Sequence, residues 1–161
     1  MAQLLIVYHS RTGGSRQMAE AAAEAGRAEA DVVLKTACQA VPEDLLRADG
    51  YIFCAPENLA AISGQMKEFF DRSYYPVLGK IEGRPYAQMI CAGSDGQNAA
   101  RQIARIATGW RLKEVQPPLI VCTHAQTSEA ILAEKTIPAD QLDKCSEVGA
   151  AMAAGLSLGV F

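Results

Sequence analysis

The sequence lacks the residue patterns that build a structural metal site or a disulfide framework. It contains only two histidines, His9 and His124, and its five cysteines include no C-x-x-C pair. Because zinc sites need Cys or His ligands at close spacing, we expect no metal site. Cys54, Cys91 and Cys122 each lie inside an apolar run, which favours free thiols packed as small hydrophobic side chains.

The sequence also lacks long apolar runs and a strong charge of either sign. No run approaches the roughly 18 apolar residues of a membrane-spanning helix. The N-terminus passes from Met1 directly into the apolar run Leu4–Tyr8, without the basic region and cleavage site of a signal peptide. With 18 acidic and 15 basic residues the net charge is −3, which argues against a nucleic-acid-binding surface. We therefore expect a cytoplasmic protein with neither a nucleic-acid nor a membrane partner.

Short apolar runs alternate with helical patterns along the chain. The runs are Leu4–Tyr8, Val32–Leu34, Tyr51–Ala55, Ala87–Ala92 and Leu119–Cys122. They are almost continuously apolar, as are the strands of a parallel sheet, which are buried on both faces. The alternation predicts a doubly wound α/β fold, and the length favours one domain over residues 1–161.

Apolar residues between these runs recur at helical spacing. One predicted helical stripe contains Ile62, Met66, Phe69 and Phe70, and Trp110 continues the stripe of the next helix, which indicates packing in the core or against a second subunit. The segment after the fifth run is longer than a simple loop, and we expect a short helix around Ser128–Lys135.

The loop after the first run combines small, hydroxyl-bearing and cationic residues, in the order Ser10-Arg11-Thr12-Gly13-Gly14-Ser15. In a doubly wound sheet this loop follows the carboxyl end of a strand and opens a helix, where backbone N–H groups converge and ligands bind. The glycines allow close backbone approach, and the hydroxyls and the guanidinium supply donors. A turn with Ser15 as the N-cap would explain one hydroxyl and not the whole set. The loop therefore predicts a phosphate-binding site.

Several families of phosphate-binding protein are excluded by missing motifs. The sequence contains no G-x-G and no G-x-x-x-x-G-K-[ST], which excludes the dinucleotide fingerprint and the P-loop. The first and third runs end without the acidic residues of a receiver domain. No cysteine is followed six residues later by arginine, which a small phosphatase of this topology would need.

The loop resembles the S/T-x-T-G-N-T phosphate loop of the flavodoxin family, with Gly14 in place of Asn and Ser15 in place of the final Thr. A second match covers Pro56–Arg72, which reads P-E-N-L-A-A-I-S-G-Q-M-K-E-F-F-D-R. It is similar to the pattern P-x-x-x-x-x-x-S-G-x-x-K-x-F-x-D-R of the flavin-dependent NAD(P)H oxidoreductases in that family. A third match is Cys91–Gly96 after the fourth run, so the resemblance covers essentially the whole chain.

The resemblance implies a flavodoxin-like, five-stranded parallel sheet of order 2-1-3-4-5 with helices on both faces, and FMN as the cofactor. The implied cofactor-binding residues come from three loops: Ser10, Arg11, Thr12, Gly13, Gly14, Ser15, Pro56, Glu57, Asn58, Leu59, Ala92, Gly93, Ser94, Asp95 and Gly96. For Glu57 a second interpretation stays open, namely a capped turn before the next helix. Asp95 or Ser94 is also expected to cap a helix.

The implied activity is FMN-dependent electron transfer from NAD(P)H to a small acceptor such as a quinone, and no residue stands out as a catalytic acid or base. Electron-carrying flavodoxins usually enclose the flavin ring between aromatic side chains. Here no aromatic residue lies between Phe53 and Phe69 or between Tyr86 and Trp110, which favours an open ring face. A non-enzymatic electron carrier and a flavin-free binding module remain the alternatives, because fold alone does not determine function. The oligomeric state stays open, with a homo-oligomer as one possibility.

Overall fold

A mostly parallel sheet with helices on both faces forms the centre of the computed structural model, which describes all residues from Met1 to Phe161. The strands are β1 (Gln3–Tyr8), β2 (Asp31–Thr36), β3 (Gly50–Asn58), β4 (Ala61–Ile62), β5 (Pro85–Ala92), β6 (Lys113–Glu114) and β7 (Leu119–Cys122). The helices are α1 (Gly14–Gly26), α2 (Pro42–Arg47), α3 (Gly64–Val77), α4 (Gln97–Gly109), α5 (Ser128–Leu132) and α6 (Ala139–Leu158).

The strand order confirms the predicted topology. The main strands lie in the order β2-β1-β3-β5-β7, which is the predicted 2-1-3-4-5, and all of these neighbours pair in parallel. The predicted number of strands was too small by two. Strand β4 pairs antiparallel with the end of β3, and β6 pairs with the beginning of β5. Each added strand has two residues, too few to produce a periodic pattern in the sequence.

Each face of the sheet has its own apolar core. Helices α1 and α6 cover one face, where Met18 and Met152 are completely buried. Helices α2, α3 and α4 cover the other, where Phe53 packs with Phe70 and Trp110. The close contact of α1 with α6 requires Gly149, because a Cβ at that position would lie 2.0 Å from the carbonyl oxygen of Ala22.

Buried side chains agree with most of the sequence-based packing predictions. Trp110 is completely buried, and its indole N–H donates to the carbonyl of Tyr74 at 3.0 Å, which confirms a core position. The thiols of Cys54 and Cys91 are free and buried, as expected, whereas Cys122 is only half-buried. None of the helices has both the length and the apolar content needed to cross a bilayer.

Two predicted helix boundaries were wrong. Ile62 belongs to β4 and not to the stripe of α3, which begins two residues later at Gly64. Its side chain is buried all the same, and its backbone N–H donates to the amide oxygen of Gln102 at 2.8 Å. The short helix α5 ends at Leu132, three residues before the expected Lys135.

Candidate functional site

A cavity of about 500 Å³ opens at the carboxyl edge of the sheet, where the ends of β1, β3 and β5 meet. It is bordered by residues from all three predicted loops: Ser10, Arg11, Thr12, Gly14 and Ser15, then Pro56, Glu57, Asn58 and Leu59, then Gly93 and Ser94. The remaining predicted residues do not line the cavity: Ala92 is the last residue of β5, and Gly13, Asp95 and Gly96 lie in the loops. We refer to this space as the central cavity.

The first loop curls so that the amino end of α1 faces the cavity without a side-chain cap. Gly13 is the N-cap residue, at a φ of 94° that favours glycine, and no side chain accepts a hydrogen bond from the first turn. The hydroxyl oxygen of Ser10 accepts a hydrogen bond from the N–H of Gly13 at 3.0 Å, which holds the curl. The first N–H groups of α1 therefore have no partner within the helix, and the positive end of its dipole lies beside the cavity.

Ser15 lies inside α1 and is not its N-cap, so the competing interpretation of this residue as a simple cap is wrong. Its side chain is 2% exposed, and its hydroxyl has no hydrogen-bond partner. A buried hydroxyl without a partner is costly. This residue also borders the central cavity, so a ligand there could supply the missing partner.

The first loop packs closely against β5. A Cβ at Gly14 would lie 2.6 Å from the Sγ of Cys91, so only glycine fits between the loop and that thiol. Burial raises the pKa of Cys91 to about 11, although nearby Lys135 acts in the opposite direction. The Cys91 side chain is therefore a neutral thiol at neutral pH and forms part of the cavity wall.

The segment after α5 also supports the first loop. The backbone N–H of Lys135 donates to the carbonyl of Thr12 at 2.8 Å, and its ammonium group lies 3.4 Å from the Thr12 hydroxyl. The amide side chain of Gln17 donates to the Lys135 carbonyl at 2.7 Å and accepts from the N–H of Ile137 at 2.9 Å. Lys135 is thus a cation beside the first loop that sequence reasoning missed, because more than 100 residues separate the two along the chain.

Glu57 connects the second and third loops. Its two carboxylate oxygens accept hydrogen bonds from the backbone N–H groups of Gly96 at 2.9 Å and Ala99 at 3.1 Å, which are in the first turn of α4. The interpretation of Glu57 as a cap is therefore correct in kind, but the helix it caps is α4 and not α3. Asp95 accepts only one longer bond, from Gln97 at 3.3 Å, and no hydrogen bond from the Ser94 side chain contributes to the cap.

The second loop ends in a tight hairpin between β3 and β4. Its two turn residues, Leu59 and Ala60, have φ values of 51° and 61°, which are unfavourable for residues other than glycine. Asn98 of α4 fixes the turn by donating from its side-chain amide to the carbonyl of Ala60 at 2.5 Å. Leu59 is fully exposed at the mouth of the cavity. A strained turn held by its surroundings at a cavity is typical of a functional loop.

His9 lies at the end of β1 and contacts the N-cap residue of α3. Its Nδ1 is 2.7 Å from the hydroxyl oxygen of Ser63. Burial lowers the pKa of His9, and the guanidinium of Arg11 lowers it further. Its ring is therefore neutral at neutral pH and has a positioning role between β1 and α3.

Six further residues, which were not among the predicted cofactor-binding residues, line the central cavity: Ala60, Cys91, Ala125, Gln126, Ile131 and Leu132. The last four follow β7. The only signal for them was the unusual length of the segment after the fifth apolar run, at the same edge of the sheet as the other loops.

The residues of the central cavity fit the phosphate of FMN. The uncapped amino end of α1, the unpartnered hydroxyl of Ser15 and the guanidinium of Arg11 all favour an anion. The second and third loops present small and amide side chains beside it, such as Asn58, Gly93 and Ser94. Lys135 does not line the cavity, and its ammonium group donates to the carbonyls of Ile131 and Ala133, but it places a positive charge beside Thr12.

Curated relatives include both an electron carrier and enzymes. The chain is 36% identical over 108 residues to a flavodoxin of Aquifex aeolicus, a match that covers 65% of this chain and 56% of the relative. It is 32% identical over 95 residues to an NAD(P)H dehydrogenase (quinone) of Acidithiobacillus ferrooxidans, covering 45% of this chain and 48% of the relative. The chain thus spans about half the length of these relatives.

Solved structures support the fold independently. The oxidised flavodoxin 1 of Bacillus cereus superposes with a TM-score of 0.78 at 18% identity, over 97% of this chain and 100% of that one. The family model described as NADPH-dependent FMN reductase matches residues 4–127. That range contains all three loops of the central cavity and more than half of the sequence, so the chain belongs to the family of NADPH-dependent FMN reductases.

Proposed function

We propose that this chain binds FMN in the central cavity and catalyses the NAD(P)H-dependent, two-electron reduction of a quinone or another small acceptor. The observation that best supports the proposal is the first loop, where the uncapped amino end of α1 meets the buried, unpartnered hydroxyl of Ser15. Family membership supports the same cofactor. A cytoplasmic location, where the nicotinamide donor is available, is part of this proposal.

In this proposal the first loop holds the phosphate. Ser15 donates its hydroxyl hydrogen, the first N–H groups of α1 donate along the helix axis, and Arg11 contributes a charged donor. Two other predicted residues of this loop, Ser10 and Gly13, maintain its curl through their hydrogen bond. Lys135 adds positive charge from the segment after α5.

The second and third loops would border the flavin ring. Asn58 supplies an amide at the cavity wall. Glu57 holds the two loops together by capping α4. No residue lining the cavity is aromatic, so neither loop provides a ring that would stack on the flavin and close its face. The bound flavin supplies the two-electron chemistry. The chain orients the cofactor and leaves its ring accessible to donor and acceptor.

The proposal is tested by anaerobic titration of the FMN-loaded protein with NADPH and then NADH. One equivalent of the donor should bleach the flavin absorption completely, and a soluble quinone should restore it. In parallel, FMN should bind the apoprotein more tightly than riboflavin, which lacks the phosphate. Equal affinity for the two flavins would contradict the role of the first loop.

An electron carrier is the second candidate, because the chain is 36% identical to a flavodoxin over 108 residues. A carrier would bind FMN equally well but would not react with either nicotinamide nucleotide. Reduction by dithionite alone, with no bleaching by NADPH or NADH, would therefore favour the carrier over the reductase. If the protein bound no flavin, the flavin-free binding module would be the favoured function.

A further inference from the structure

A second cavity of about 580 Å³ lies beside the first loop, toward the β2 edge of the sheet. Its far wall is formed by Thr36 and Cys38, at and after the end of β2, and by Gln65 in the first turn of α3. We refer to it as the β2-side cavity. Neither the phosphate nor the flavin-ring contacts described above use this wall, and its size lies within the usual range of small-ligand sites.

The two cavities are adjacent. They share four lining residues, Ser10, Arg11, Thr12 and Leu132, so the first loop forms part of the wall of both. Arg11 therefore lines both cavities and can contact a ligand in either of them.

The chemistry of the β2-side cavity suits a phosphorylated nucleoside. Arg11 forms no ion pair with any carboxylate, whereas Arg16 pairs with Glu20 at 3.3 Å and more distantly with Glu134 at 4.0 Å. Arg11 is thus a free guanidinium between the two cavities, available for a diphosphate. Glu134 is a carboxylate in the cavity wall, but its side chain is 82% exposed and can turn toward solvent.

We propose that the β2-side cavity binds the adenosine-phosphate end of the nicotinamide nucleotide donor, while the guanidinium of Arg11, which has five N–H donors, bridges the FMN phosphate and the donor's diphosphate. This inference rests on the proposed function, because it assumes that the nicotinamide ring enters the central cavity. Gln65 and Thr36, in the far wall, then border the adenosine end of the donor.

The donor is favoured over the cofactor as the occupant. FMN has a single phosphate, for which the first loop already offers the helix end and the Ser15 hydroxyl. A dinucleotide donor has a second nucleoside and a diphosphate that the 500 Å³ of the central cavity would have to hold beside the flavin. The adjacent β2-side cavity offers that space.

Cys38 provides a direct probe of occupancy. It is the one exposed cysteine of the chain, since Cys54, Cys91 and Cys145 are buried and Cys122 is half-buried. Labelling of the FMN-loaded protein with a maleimide should be slowed by 2′,5′-ADP, which contains the adenosine-phosphate end of NADPH and no nicotinamide. The variant Cys38→Ser identifies the labelled position. Unchanged labelling at saturating 2′,5′-ADP would overturn the proposal.

A kinetic comparison tests the same assignment in turnover. Gln65→Trp should fill the β2-side cavity from an exposed helix turn, and Gln141→Trp makes the same exchange in the first turn of α6, outside both cavities. For Gln65→Trp we expect the KM for NADPH to rise at least about tenfold, whereas the KM for reduced nicotinamide mononucleotide, which lacks the adenylate, stays within about twofold. Gln141→Trp should change neither value.

The outcomes separate this inference from the proposed function. If neither donor reduces the flavin, the reductase assignment fails, and labelling of Cys38 still decides whether the cavity binds adenosine phosphates. If Gln65→Trp raised the KM for both donors by the same factor, the assignment of the β2-side cavity to the adenylate would be overturned. Tighter binding of FAD than of FMN, with protection of Cys38 by FAD, would assign the cavity to a flavin adenylate and overturn the donor assignment.

Discussion

The carboxylate of Glu57 accepts a hydrogen bond from the backbone N–H of Gly96 at 2.9 Å, and this contact joins the second and third loops of the central cavity. A second bond, from Ala99 at 3.1 Å, completes the cap of α4. Because Gly96 itself has no side chain, the helix depends on a cap from a residue 39 positions away. The position of the third loop is thereby tied to the end of β3.

Replacement of Glu57 should destabilise the protein and loosen the cofactor site together. Glu57→Ala removes both acceptors from partly buried N–H groups, so we expect the free energy of unfolding to fall by about 2 kcal/mol. FMN should also bind more weakly, because the Gly93–Gly96 turn loses its anchor. Asp95→Ala is the matched control, since it removes one longer, exposed bond to the same helix turn. Urea unfolding of both apoproteins should show that Glu57→Ala is less stable than Asp95→Ala. Equal stability of the two variants would contradict the prediction.

The fold and the first loop were predictable because their signals are local. The five long strands are apolar over consecutive residues, and the strand order follows from the resemblance and the general rules of doubly wound sheets. The segment Ser10–Ser15 has a composition that an ordinary turn does not need. The structure places all but Gly13 of these residues at the central cavity.

Contacts between distant segments were not predictable. The cap formed by Glu57 depends on the distance between β3 and α4 in the folded chain, and the support that Lys135 gives to Thr12 spans 123 positions. Likewise, Ile62 matched the helical spacing of Met66 and Phe69, but a tight turn at Leu59 and Ala60 leads it into a strand. Non-glycine residues at positive φ gave no sequence signal for that turn.

Packing of the first loop against β5 should require glycine at position 14. Gly14→Ala places a Cβ 2.6 Å from the Sγ of Cys91, and we expect it to lower the free energy of unfolding by about 1–3 kcal/mol. Gly64→Ala is the control, because Gly64 also begins a helix and a Cβ there would meet no atom within 4 Å.

A double-mutant cycle assigns that effect to the thiol. In the background Cys91→Ala, which removes the Sγ, the cost of Gly14→Ala should be smaller by about 1 kcal/mol or more. Urea unfolding of the four proteins gives the coupling energy. Additive effects would mean that the close contact with Cys91 is not the source of the destabilisation.

Strain in the hairpin after β3 should be removable. Leu59 and Ala60 both have positive φ, a combination that suits Asn-Gly in a two-residue hairpin turn. The double substitution Leu59→Asn/Ala60→Gly should therefore raise the free energy of unfolding by about 1–2 kcal/mol. Ala61→Gly, placed one residue later in β4 where φ is not positive, should lower it instead by about 0.5–1 kcal/mol. A thermal unfolding series checks the two opposite signs.

The lowered pKa of His9 should make stability depend on pH. Burial and Arg11 hold this pKa below the ordinary value of 6.5 in the folded protein. Between 6.5 and the lower folded value the unfolded chain binds a proton that the native state does not. The free energy of unfolding should therefore fall as the pH falls through that window. His9→Asn cannot titrate, so its stability should vary less with pH below 6.5. Urea midpoints measured in steps from neutral pH downwards test this, and identical slopes for the two proteins would refute it.

The buried hydroxyls of Ser15 and Ser73 allow two effects to be separated: the free-energy cost of a buried hydroxyl without a partner, and the contribution of such a hydroxyl to FMN binding. Neither hydroxyl has a hydrogen-bond partner, and both side chains are at most 2% exposed. Ser15 borders the central cavity, whereas Ser73 lies within α3 and lines neither of the two cavities described above. Both apoproteins, Ser15→Ala and Ser73→Ala, should be at least as stable as the wild type, because each substitution removes a buried unsatisfied donor that costs about 1–3 kcal/mol.

Binding of FMN should distinguish the two serines. If the Ser15 hydroxyl donates to the phosphate, Ser15→Ala loses a charge-assisted hydrogen bond worth about 1.5–3 kcal/mol, which corresponds to a roughly 10- to 150-fold weaker Kd. The Kd of Ser73→Ala should equal that of the wild type. Riboflavin has no phosphate, so its affinity should be the same in all three proteins. Fluorescence titration of each apoprotein with both flavins gives the full comparison. A loss of riboflavin affinity in Ser15→Ala would mean that this residue acts on the ring site and not on the phosphate.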